Sequence, residues 1–123
     1  MDVERLEKPI TEVMASPVRT VDRDLSVAAA ARILWNERIG SLVVDGDRGV
    51  PVGIVTESDV VRGVGAGYDP EVMTVAELMT ASVVTVDATE TVRDASARMR
   101  EHDIKKLPVV EEGELVGVVT TTD

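Results

Sequence analysis

The sequence predicts an α/β (α+β) fold made twice over, as two pseudo-symmetric β-α-β-β-α repeats, each a three-stranded sheet with helices on one face. Three observations carry this. The chain repeats itself at a spacing of 65 residues, its apolar runs are too short for helices, and capped amphipathic stretches separate those runs.

The repeat covers almost the whole chain. Thr20-Val21-Asp22 returns as Thr85-Val86-Asp87, and Val13-Met14 returns as Leu78-Met79. In the same register Ser26-Val27 meets Thr91-Val92, and Ala30 meets Ala95. Ile39, Leu42 and Val44 meet Ile104, Leu107 and Val109. Gly53 meets Gly117 at a spacing of 64, so one residue has been gained or lost between DGDRGVP and EEGE. A length change there marks a surface connection, and the flanking apolar runs make it a hairpin.

Each copy follows the same order. A β-prone run opens it (Val18–Val21, Val83–Val86), and Ser26 or Thr91 then stands as a helix N-cap. Thr91-x-x-Asp94 has the spacing of a capping box. Val27, Ala30, Ala31, Leu34 and Trp35 draw one apolar helical face, as do Val92, Ala95, Ser96 and Met99 in the second copy. Trp35 and Met99 read as core or interface residues. The runs SLVVD and KLPVV lead into hairpins closed by VGIVT and LVGVVT. After Thr56-Glu57-Ser58-Asp59, Val60 and Val61 start a short helix that Gly63, Gly65 and Gly67 should stop. Gly63–Pro70 is then a linker, and TVAELM opens the second copy.

Composition narrows the function. The 123 residues carry 23 acids against 13 bases, a formal charge of −10, which disfavours phosphate backbones as partners. No nucleic acid is expected. There is no cysteine and a single histidine, His102, so disulfides, thiol nucleophiles and Cys-based zinc sites are excluded. His102 reads as a solvated helix end, and Glu57 as an exposed acid at a helix start. No apolar run is long enough for a membrane helix, and no leader is evident, so a cytoplasmic protein is expected. Acid-rich, Phe-free and with three lysines, the composition fits a chain kept soluble at high salt as well as an ordinary acidic protein. No nucleophile–base pair, metal cluster or P-loop stands out, so no catalytic residue, metal or required cofactor is assigned.

Gly53–Asp59 (GIVTESD) and Gly117–Asp123 (GVVTTTD) share a strand that breaks into Thr-x-x-Asp. At such a junction the Thr hydroxyl can cap the helix and the carboxylate can complement its dipole. The same carboxylate also offers two acceptors to a cis-diol. Both readings stand on the residues alone.

The paired TVD, the paired capped helices, I-x-x-L-x-V and the doubled GxVTxxD together resemble a pair of cystathionine β-synthase (CBS) domains. The resemblance runs from Ile10 to Asp123, with repeats at 10–66 and 74–123, the second lacking its last helix. It implies a regulatory module sensing an adenosine-containing ligand (AMP, ADP or ATP) between the repeats. S-adenosylmethionine or NAD binding, or a ligand-free scaffold or dimerisation domain, are the alternatives. On the family pattern Asp59 takes the ribose hydroxyls with Thr56 nearby, Ile54 and Ser58 adjoin them, and Ile54 and Val84 flank the adenine. Lys105 and Lys106 fall at positions that reach phosphates; a solvated, edge-protecting role is their other reading. A second, weaker site would join Thr120 and Asp123 to Arg19, Gly40 and Ser41. The resemblance also implies a homodimer, through Ser26–Glu37 or Asp59–Val64. With nothing after TTTD, the chain is expected to be a trimmed or partial form whose Met1–Thr11 segment partly covers the exposed sheet.

Overall fold

The computed structural model describes residues 3–16, 18–46, 50–81 and 84–121. In order they form α1 (Val3–Leu6), a 3-10 turn (Ile10–Glu12), β1 (Thr20–Asp22), α2 (Val27–Glu37), β2 (Ser41–Asp45), β3 (Pro51–Thr56) and α3 (Glu57–Gly65). There follow α4 (Val75–Leu78), β4 (Thr80–Ala81), β5 (Val86–Asp87), α5 (Val92–His102), β6 (Lys106–Glu111) and β7 (Glu114–Thr120). The mixed α/β class and both hairpins stand as the sequence predicts.

The chain divides into two units, and their make-up is not that of the two sequence repeats. One unit is Arg19–Val83; the other joins Met1–Val18 to Val84–Asp123. TVAELM, which opens the second copy in sequence, therefore packs in the unit of the first. Backbone chemistry gives the reason. The opening N–H groups of a helix have no partner within it. The Val27 N–H donates to the Met73 carbonyl (2.8 Å), the Ala28 N–H to the Pro70 carbonyl (2.8 Å), and the Val75 N–H returns a bond to the Leu25 carbonyl (2.8 Å). In the other unit the Val92 N–H donates to the Lys8 carbonyl (3.0 Å) and the Ile10 N–H to the Glu90 carbonyl (2.9 Å). Each long helix is thus closed by a lead-in segment.

In the Arg19–Val83 unit the sheet order is β1-β2-β3-β4, with β1 parallel to β2 and the other pairs antiparallel. The expected three strands have gained a two-residue fourth. Its close approach explains the first glycine of the repeated motif, since a Cβ on Gly53 would lie 2.3 Å from Met79 Sδ. Val21, Leu42, Val44 and Val55 from the sheet meet Val27, Ala30 and Leu34 of α2 and Val75 and Leu78 of α4. Trp35 is not in this core: it is 83% exposed. One residue past Leu34 is a rotation of about 100°, which carries it off the buried stripe. Helix α3 continues through Gly63, which is buried against Leu78, to Gly65; the positive φ of Gly67 (90°) follows it. The linker is therefore shorter than the glycines suggest.

The second unit has the order β5-β6-β7. Glu112 and Gly113 link β6 to β7 with φ of 52° and 83°, the left-handed pair that a tight two-residue hairpin needs. Val86, Val92, Ala95, Met99, Leu107, Val109 and Val119 form its core, position for position the partners of the first. Ile10 completes it, fully buried. Where α3 lies in the first unit, a groove of about 380 Å³ remains here between Ile10, Val13, Val92, Ala95, Met99 and Val119. The N-terminal segment therefore covers this unit in part, as expected from the sequence.

Ile10→Ala removes a fully buried side chain and should lower the unfolding free energy by about 2–5 kcal/mol in urea titrations. An unchanged midpoint would mean that residues before β1 do not belong to this core.

Candidate functional site

The first Thr-x-x-Asp sits where strand β3 turns into helix α3. Thr56 is the N-cap, and its Oγ1 accepts from the Asp59 N–H (3.1 Å). The Asp59 carboxylate reaches back, its Oδ2 accepting from the Thr56 N–H at 2.9 Å. Two otherwise orphaned donors are satisfied by one pair of residues. The other oxygen, Oδ1, accepts from Arg62 at 2.8 Å, one turn along the helix. Asp59 is the one charged residue buried among the described residues, at 6% exposure. Glu57 and Ser58 lie exposed in the same turn, and Ile54 is half-buried on β3.

A comparable capping box opens α5, where Thr91 and Asp94 exchange the same bonds, but Asp94 is exposed. Donation from the Thr91 N–H, then from its hydroxyl, holds the Asp94 carboxyl below the usual carboxylate range. Its contribution to folding is present above the unfolded pKa and lost as pH falls through the folded one. What sets Asp59 apart is burial with a cation attached.

The structure gathers the other candidates by unit. Ser41 lies directly across from Thr56 in the β2–β3 register, and the Glu57 N–H donates to the Gly40 carbonyl (3.1 Å). Arg19 precedes β1, where its carbonyl accepts from the Val43 N–H; its guanidinium pairs with Glu37 (3.1 Å). Arg19, Gly40, Ser41, Ile54, Thr56, Ser58 and Asp59 thus all belong to the Arg19–Val83 unit. Val84, Lys105, Lys106 and Thr120 belong to the other. There Lys106 faces Thr120 across β6–β7, and the Thr121 N–H donates to the Lys105 carbonyl (3.1 Å). Asp123 lies outside the described residues. Lys106 opens β6, the middle strand of its sheet, three residues before the pairing with β5 begins at Val109. His102 and Glu57 are exposed at a helix end and a helix start, as read from the sequence. Arg62, which the sequence reading passed over, is the contact it missed; its i+3 spacing from an acid was the available signal.

Residues 10–66 and 75–123 each match the family model described as CBS domain. The chain belongs to the CBS domain family. Hypoxic response protein 1 of Mycobacterium tuberculosis is 34% identical over 113 residues, spanning 91% of this chain and 79% of that protein. The crystal structure of an uncharacterized conserved protein from Pyrococcus horikoshii superposes with a TM-score of 0.85 at 32% identity, covering 99% of this CBS pair and 90% of that chain. The CBS domain pair of the protein MJ0100, solved in complex with 5′-methylthioadenosine and S-adenosyl-L-methionine, matches with a TM-score of 0.83 at 27% identity, over 94% of this chain and 91% of that one. No helix among the described residues is long and apolar enough to cross a membrane.

The cap is energetically separable from any ligand. Thr56→Ala should cost about 0.5–2 kcal/mol of stability in chemical unfolding without ligand. A loss near zero would show that the Thr56 hydroxyl does not support α3.

Proposed function

We propose that this CBS pair is a regulatory module that binds an adenosine-containing nucleotide, with the ribose on Asp59 and Thr56. The observation that carries the reading is the buried Asp59 carboxylate, held by a backbone N–H and by Arg62 at a strand–helix junction. Structural capping alone does not call for burying a charge, as the exposed Thr91–Asp94 box demonstrates. The adenosine-based ligands of the MJ0100 pair support the same ligand class.

In this reading Ile54 lies against the adenine and Ser58 borders the ribose, while Val84, Lys105 and Lys106 remain candidates on the other unit, the lysines for phosphates. Two of the three lysines of a chain of charge −10 fall at that one position, which favours AMP, ADP or ATP over an uncharged nucleoside. The second set of candidates, Arg19, Gly40, Ser41, Thr120 and Asp123, is the weaker, because Gly40 and Ser41 carry no charge and Arg19 is already paired with Glu37. The module works by binding rather than by catalysis, in the cytoplasm where such nucleotides are plentiful. It does so as a homodimer: Trp35 on α2 and Val61 and Val64 on α3 are 83%, 71% and 53% exposed, too much apolar surface for helices meant to face water.

Calorimetry with adenosine, AMP and ATP tests the site. Asp59→Ala should lose about 1.5–3 kcal/mol of binding to all three, the range for hydrogen bonds to a charged group. Replacing Lys105 and Lys106 together by Ala should weaken ATP and AMP and leave adenosine unaffected. Absence of binding by the wild type would favour the ligand-free scaffold. Light scattering should give twice the monomer mass, falling toward one on Trp35→Glu; a monomer at every concentration removes the dimer.

A further inference from the structure

Among the described residues Arg62 stands apart from the other exposed cations because its partner is buried: the side chains of Arg62 and Asp59 are 67% and 8% exposed. An ion pair between two exposed side chains contributes little, but a buried carboxylate stripped of its counter-charge is costly. The lone-pair count is equally specific. An ionised carboxylate has about four acceptor positions, two on each oxygen. The Thr56 N–H takes one on Oδ2 and Arg62 takes one on Oδ1. One position per oxygen remains, which is what the two hydroxyls of a ribose cis-diol require.

We propose that Arg62 is a positioning residue of the ribose site, holding the buried Asp59 carboxylate oriented so that each oxygen keeps one acceptor position for the diol. This rests on the reading of Asp59 as the ribose acceptor. The helix sets the geometry: residues three apart on α3 are neighbours on its surface, so Arg62 lies over the carboxylate without entering the core. Arg62 itself touches no ligand in this arrangement. It acts through Asp59.

The test compares wild type, Arg62→Ala and Arg62→Lys against adenosine and 2′,3′-dideoxyadenosine, with circular dichroism to establish that each variant is folded. Arg62→Ala should weaken adenosine by about tenfold, the lower end for a hydrogen bond to a charged group. Dideoxyadenosine, which lacks both hydroxyls, should bind wild type and variant alike. Arg62→Lys restores the charge without the planar fork and should recover most of the loss. Unchanged or tighter adenosine binding by Arg62→Ala overturns the proposal, since Arg62 would then be idle or a competitor for the carboxylate. Equal losses for both nucleosides also overturn it, marking a general distortion. A wild type that binds adenosine no better than dideoxyadenosine overturns instead the ribose reading of Asp59.

Discussion

The fold depends on how the unpaired amides at the start of its two long helices are satisfied. The Val27 N–H finds the Met73 carbonyl and the Val92 N–H finds the Lys8 carbonyl, 65 residues apart in both donor and acceptor. A buried helix start left open would cost the desolvation of each donor. Supplying the carbonyl from the lead-in segment also brings in the apolar residue beside it, Val75 in one unit and Ile10 in the other. One backbone requirement thus fixes both helix closure and core composition. It also decides that each unit is assembled from discontinuous chain, or from chain reaching past the end of its own repeat.

The same arrangement accounts for the motif glycines. The lead-in segments run on to Met79-Thr80 and Met14-Ala15, which lie against the closing strands. A Cβ on Gly53 or Gly117 would sit 2.3 or 2.4 Å from a methionine sulfur and 3.0 Å from a carbonyl oxygen. The glycine that begins GIVTESD is required by packing, whereas the Thr and Asp that end it serve a helix start and, in our reading, a ligand. The two ends of one motif answer to different constraints.

Between the copies the cores are conservative and the polar chemistry is not. Leu25 and Ile33 pack at the edge of the first core. Their counterparts are Glu90 and Arg98, which pair through both carboxylate oxygens, with Arg98 also donating to the Thr85 carbonyl (3.1 Å). That pair raises the Arg98 pKa, chiefly through its hydrogen bonds to Glu90. Gly40-Ser41 against Lys105-Lys106 is the same kind of divergence, and in our reading it makes the two sets of candidate residues unequal. An apolar pair and an ion pair can fill one place in a fold, but a lysine and a glycine cannot serve one phosphate.

The sequence by itself determined the duplication, the class of fold and the position of nearly every element. Periodicity, caps and hairpin residues are local signals, and Ser26, Thr91 and the Glu112-Gly113 turn act on their immediate neighbours. It also located the Thr56–Asp59 junction, because a capping box is written within four residues. Only the tertiary structure decided which repeat each lead-in segment joins, since Val75 and Ile10 are equally apolar wherever they pack. Only it removed Trp35 from the core, a matter of which 100° of a helix meets the sheet. And only it distinguished Asp59 from Asp94. Both follow a capping threonine at the same spacing, but burial depends on what the rest of the chain lays over the helix start, and that is not a local property.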